Sequence, residues 1–138
     1  MTTSNSWERY GIHAIEGVYP FLKPGGWRDV TNSGTETSNV VHAHHESGVE
    51  VVLAAVSDLH GAFGCLNLYG TLGVQSARFG DTFFAFKTQL EQFIQYLRSG
   101  QPPFPFSETV ELMKIVIAGT RSRNESGRKV SLDEIKIN

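Results

Sequence analysis

The chain has 138 residues, 40% of them hydrophobic and 11% aromatic, with a formal net charge of −2. A chain of that length buries about two-thirds of its unfolded surface, so it forms one folded domain over residues 1–138 without staples, and a disordered tail is excluded. The near-balance of charge, with Lys and Arg scattered, leaves no electrostatic footprint for nucleic acid, and a single cysteine, Cys65, excludes an internal disulfide framework and suits a reducing compartment.

Met1 to Ser6 has neither a basic region nor an apolar core, and no stretch approaches the roughly 18 apolar residues of a spanning helix. A cytoplasmic protein with no membrane partner is expected. From Trp7 to Tyr19 apolar residues recur with the helical period at Trp7, Tyr10, Ala14 and Val18, thickened by Gly11 and Ile15. Ser6 suits the N-cap and Pro20 the end. Arg9, His13 and Glu16 then share a different, polar face of that helix.

Between Trp27 and Phe79 the period becomes two. Strands are expected near Trp27 to Thr31, Asn39 to His45, Glu50 to Ser57, Ala62 to Tyr69 and Val74 to Phe79. Their short connections imply an antiparallel meander, because parallel neighbours need a crossover. Two of the strands are apolar on both faces. Val52, Ala54, Val56, Leu66 and Leu68 form one alternate set, and Val51, Leu53, Ala55, Phe63, Cys65 and Tyr69 the other. Helices cover only one side, so the other is expected to bury against a second copy, making a homo-oligomer through the sheet face.

Asp81 or Thr82 caps a helix whose buried stripe is Phe83, Phe86, Leu90, Phe93, Ile94 and Leu97, ended by Gly100. Pro102, Pro103 and Pro105 hold the next segment extended. Ser107 caps a further helix that buries Val110, Met113 and Ile117, and Lys129 to Ile137 reads as a last strand. The fold class is α+β: an open, mostly antiparallel β-sheet with helices packed on one face.

The segment from Arg9 to Glu16, the Gly70-Thr71-x-Gly73 turn and the helix-Gly100-x-Pro102-Pro103-helix ending occur in an order that resembles the glucose-fructose oxidoreductase, inositol dehydrogenase and rhizopine-catabolism (Gfo/Idh/MocA) family. The resemblance runs over nearly the whole chain. In that family a segment of pattern Asp-x-Gly-x-His opens a helix of the substrate domain, and its His takes the substrate's hydroxyl proton as hydride leaves the carbon. Gly11 and His13 match; Arg9 stands where the family has Asp. The resemblance thus implies His13 as the catalytic proton carrier, with Arg9 and Glu16 beside it for substrate binding. An imidazole titrates near neutral pH and serves as base one way and acid the other. A surface or helix-packing histidine is the plainer alternative.

The family's other half is a Rossmann domain with a Gly-rich pyrophosphate turn and a Glu-Lys-Pro segment. Neither pattern occurs here: Pro24-Gly25-Gly26 lacks the G-x-G-x-x-G spacing, and Gly61-Ala62-Phe63-Gly64 lies inside a strand pair. The chain alone is therefore expected to bind no dinucleotide, while NAD or NADP is implied for a parent enzyme. The implied function is the substrate-binding and oligomerisation domain of an NAD(P)-dependent oxidoreductase acting on a sugar, cyclitol or related hydroxyl compound. A stand-alone, non-catalytic dimerisation or ligand-binding module derived from such a domain is the alternative, favoured by Arg9.

His42 and His44 project from one face of a strand, but spacing fixes no third ligand among Glu46, Glu50 and His60, and no metal is expected. Tyr69, Trp27 and Arg78 are candidates for a sugar-binding face, ranked below His13. The basic residues Arg121, Arg123, Arg128 and Lys129 read as a solvated helix end with no ligand.

Overall fold

In a computed structural model describing residues 1–60 and 64–137, the chain builds a five-stranded sheet, a separate two-stranded ribbon and three helices. The elements are β1 (Thr2–Ser4), α1 (Trp7–Val18), β2 (Trp27–Asn32), β3 (Ser38–His45), β4 (Glu50–Val56), β5 (Cys65–Gly70), β6 (Gly73–Arg78), α2 (Thr82–Ser99), α3 (Phe106–Asn124) and β7 (Val130–Ser131). Short 3-10 turns follow α1 at Tyr19–Phe21 and β7 at Leu132–Glu134. The main sheet has the order β1-β4-β3-β2-β7, antiparallel except where β1 runs parallel to β4. This is the expected α+β class.

Alternation decides which face is wet. On β3, Asn39, Val41, Ala43 and His45 are buried while Val40 is exposed and His42 and His44 are half-buried; on β4, Val51, Leu53 and Ala55 are buried and Val52 is exposed. The buried set meets Trp7, Ile15, Ile115, Val116 and Ala118 of α1 and α3. Among the described residues, helices cover one face of the sheet, as the expected fold class has it.

A network of polar groups is paired inside this interface. Asn32 Nδ2 donates to Asn39 Oδ1 at 3.0 Å and to the Gly119 carbonyl at 3.2 Å, and its backbone N–H donates to Ser122 Oγ at 2.8 Å. Ser122 Oγ donates in turn to the Arg128 carbonyl at 2.6 Å. Buried amides and hydroxyls cost free energy unless so satisfied. The network therefore fixes α3 on β2 and β3.

Several expectations are corrected. The meander stops at β4, because β1, too short and polar to show a period, occupies its outer edge; β5 and β6 pair only with each other. The register of β5 is also opposite to the expected one: Leu66 and Leu68 pack on the core with Val51, whereas Tyr69 is 80% exposed. Ala62 and Phe63, expected at the start of this strand, lie outside the described residues. The buried side of α3 is Leu112, Ile115, Val116, Gly119 and Ser122, leaving Met113 and Ile117 exposed. Small and polar residues carry that face, so apolar periodicity pointed one position away. The helix starts at Phe106 after Pro105, so Ser107 sits inside its first turn. The final strand shortens to Val130–Ser131, because Ser131 and Glu134 form a capping box that turns the chain.

The largest correction concerns α2. Its ends are as expected, with Asp81 Oδ1 accepting from the Phe84 N–H at 2.8 Å and Gly100 left-handed at φ 70°. Yet no residue of α2 is buried, and Phe83, Phe86, Leu90, Phe93, Ile94 and Leu97 all stand exposed. The stripe exists, but nothing among the described residues covers it. Among the described residues no helix is long and apolar enough to cross a membrane.

Candidate functional site

Helix α1 places the three residues singled out from the sequence. Trp7, Gly11, Ala14, Ile15 and Val18 face inward, which leaves Arg9, His13 and Glu16 exposed on the other side. His13 Nδ1 lies 3.0 Å from Glu16 Oε2, and its ring stands edge-on to Tyr10 with centroids 5.4 Å apart. A carboxylate at Nδ1 orients an imidazole. Arg9 lies one helical turn before His13, on the same exposed face.

The position of α1 is fixed by Trp7. Its indole is fully buried, and Nε1 donates to the Val116 carbonyl at 2.9 Å. Gly11 and Gly119 approach opposite edges of the ring, where a Cβ on either would fall 2.6 Å from an indole atom. Gly11, part of the pattern read as catalytic, is thus explained by helix packing. At the start of α1, Glu8 pairs with Arg123, whose Nη1 also donates to Asn39 Oδ1 at 3.0 Å. Partial burial pushes the Glu8 carboxyl up, but its backbone amide and the Arg123 guanidinium outweigh that and hold it below the ordinary carboxylate range.

A cleft of about 380 Å³ opens elsewhere, between the turn after α1 and the start of α3. Glu111 Oε2 accepts from Tyr19 Oη at 2.7 Å and from the Gly25 N–H at 2.9 Å. Burial, followed by that carboxylate, raises the Tyr19 phenol well above its usual range, so it stays protonated and donates to Glu111. Trp27 lines the cleft but is 6% exposed, so it is no sugar-stacking platform; Tyr69 and Arg78 lie on the ribbon, away from it. Sequence periodicity gave no signal for Glu111, because its partners sit 86 and 92 residues away.

Two further sets of polar residues are resolved by register. His42 and His44 on β3 both reach Glu50 on β4, the third candidate that spacing left open, while His45 points inward and is satisfied by Ser47 and the Lys23 carbonyl. Two basic residues at the end of α3 and just beyond it pair within the chain: Arg121 with Glu125 and Glu134, and Arg128 with the same two carboxylates. These two are solvated as the sequence suggested, whereas Arg123, expected with them, is 12% exposed and joins α3 to Glu8 of α1 and Asn39 of β3.

No protein-family model and no curated protein sequence matches the chain. Solved structures do. The chain superposes on a myo-inositol dehydrogenase from Corynebacterium glutamicum with a TM-score of 0.71 at 18% identity, over 95% of this chain and 54% of that one. A protein assigned as an NADPH-dependent oxidoreductase from Desulfitobacterium hafniense gives a TM-score of 0.74 at 16% identity, over 96% of this chain and 55% of that one. An NAD-binding protein from Listeria innocua gives 0.58 at 11% identity, over 95% and 53%. The chain therefore spans little more than half the length of the proteins it superposes on, and over that length it has the fold of Gfo/Idh/MocA-type oxidoreductases.

Proposed function

We propose that the chain is the substrate-binding and oligomerisation part of an NAD(P)-dependent oxidoreductase acting on a sugar, cyclitol or related hydroxyl compound. One observation carries the reading: a whole-chain fold shared with a myo-inositol dehydrogenase and an NADPH-dependent oxidoreductase, together with a histidine at the outward face of α1. In this mechanism His13 would accept the proton of the substrate's hydroxyl, Glu16 would orient the imidazole, and Arg9 would contact the substrate's oxygens. The nicotinamide supplies the hydride acceptor. The residues of this chain supply proton transfer and positioning, and they bind no dinucleotide alone because none of the described residues forms a Gly-rich turn at a helix start. A single free cysteine suits the cytoplasm.

The test is steady-state oxidation of myo-inositol and related polyols by the chain joined to a dinucleotide-binding domain. General acid-base catalysis typically supplies about 10²- to 10⁴-fold, so His13→Ala should lower kcat by that order with little change in cofactor affinity. A His13→Ala protein that turns over at the wild-type rate removes His13 from the mechanism. Arg9, standing where the resembled family has Asp, favours a second reading: a non-catalytic ligand-binding or dimerisation module. Polyol binding without turnover in the joined protein would select it.

A further inference from the structure

The outer face of the sheet carries a group of side chains that the oxidoreductase reading does not use. His42 and His44 are two residues apart on β3 and point to the same side, away from the core. Glu50 is paired directly with His44 across the β3 and β4 ladder, and Val52 with His42. Its Oε2 lies 2.5 Å from His42 Nε2 and 3.2 Å from His44 Nε2. The two imidazoles are themselves close, with ring centroids 4.4 Å apart. One atom from each of the three residues falls within 4.8 Å of the others.

A fourth residue makes this arrangement more than a pair of imidazoles sharing a carboxylate. The β2 register shifts between Trp27 and Asp29, so Arg28 is an extra residue and Asp29 comes to lie opposite His44. Asp29 Oδ1 is 2.5 Å from His44 Nδ1, and Lys129 Nζ stands 3.6 Å from the same oxygen. An imidazole whose Nδ1–H donates to a carboxylate presents its Nε2 lone pair at the other end, and this is how histidine ligands are oriented at metals. Here the Nε2 end faces His42 and Glu50.

We propose that His42, His44 and Glu50 form a site for a divalent transition-metal ion of zinc's kind, with Asp29 as the residue that positions His44. Two imidazoles and one carboxylate are a donor set zinc takes, with a fourth position left open. Zinc bonds of about 2.0 Å in a tetrahedron separate neighbouring ligand atoms by about 3.3 Å, close to the 3.2 Å between His44 and Glu50. His42 must withdraw slightly to make room. It is free to do so, because its side chain is 42% exposed. The open position faces away from the core and is accessible to water or to an outside ligand.

The experiment titrates the full chain, first stripped with chelator, with Zn²⁺ alone against a chromophoric chelator, and repeats the titration with Co²⁺ to read ligand-field bands. Saturation at one ion per chain is expected, with a four- or five-coordinate cobalt spectrum. His42→Ala, His44→Ala and Glu50→Gln should each abolish saturable uptake. Asp29→Asn should keep one ion per chain but weaken it about tenfold to a hundredfold, the usual effect of losing an outer-shell partner. His60→Ala should bind as wild type. Circular dichroism on each metal-free variant establishes that the sheet is intact, as expected for side chains on its wet face. Absence of saturable uptake by wild type overturns the proposal. So does uptake that survives in the His42, His44 and Glu50 variants.

Discussion

Replacing Gly119 with Ala tests how α1, and with it His13, is held. An added Cβ would lie 2.6 Å from Trp7 Nε1 and 2.8 Å and 2.9 Å from two further ring carbons. Comfortable carbon contacts need about 3.5–4.0 Å, so the overlap is close to 1 Å. The ring has nowhere to go: it is fully buried, its Nε1 is bonded to the Val116 carbonyl, and its far edge already abuts Gly11. Overpacking of this kind costs about 1–3 kcal/mol, and an immobile ring puts the cost at the upper end. Better helix propensity returns about 1 kcal/mol. The net loss is about 2 kcal/mol, or ~6 °C in Tm for a chain of this length. Urea and thermal unfolding followed by circular dichroism measure it. Combining Gly119→Ala with Trp7→Phe, which removes the crowded pyrrole edge, should recover at least about 1 kcal/mol relative to the sum of the single changes. A Gly119→Ala protein as stable as wild type, or strict additivity in the double variant, refutes the clamped-indole account.

Two other outcomes are expected. Phe83, Phe84, Phe86 and Phe93 are each more than half exposed, and at 150–250 Å² per aromatic side chain they present on the order of 400 Å² of apolar surface, at the limit a monomer usually tolerates. The chain should therefore associate at micromolar concentration. Phe86→Glu with Leu90→Lys should shift sedimentation toward monomer without moving the melting of the body; identical sedimentation of the two proteins would relieve α2 of that role. Arg121 and Arg128 hold the Glu125 carboxyl below its ordinary value, and Arg128 with the Ser131 amide does the same for Glu134. Their stabilisation is complete above the unfolded-chain value of about pH 4.3 and is lost as pH falls through the lower folded values. Arg128→Gln should thus melt below wild type at about pH 7 and converge with it toward about pH 3; a gap constant across that range contradicts the assignment.

What the sequence revealed follows from which interactions are local. Helix α1, strands β2 to β4 and the two ends of α2 are set by period and capping chemistry within a few residues, and the structure has them within one or two positions of the expected bounds. The outward placement of Arg9, His13 and Glu16 follows from the same period. The polar cluster on the sheet was only half legible. Alternation put His42 and His44 on one face, but Glu50 depends on the hairpin register and Asp29 on the extra residue in β2, and neither is encoded in spacing. The inner face of α3 was missed for a related reason: Gly119 and Ser122 are buried for close approach and hydrogen bonding, so they are silent in an apolar pattern.

The failure at α2 is of another kind, because the pattern was read correctly and its cover is not in the described chain. An isolated helix of 18 residues is marginal in water even with good caps, since nucleation is costly and most helical stability in proteins comes from packing an apolar face. With Asp81 and Gly100 closing its ends and no residue buried along its length, α2 has the caps without the packing. The body around Trp7, by contrast, is closed on itself, with hydrogen bonds joining α1, α3 and the sheet. The two regions thus differ in what they need from outside. The body holds the face carrying His13 in place by its own contacts, whereas ordering of α2 is thermodynamically linked to whatever buries Phe83, Phe86 and Leu90. Any partner that covers this stripe stabilises α2 by its own binding free energy, so the ribbon and α2 are where association should be felt first.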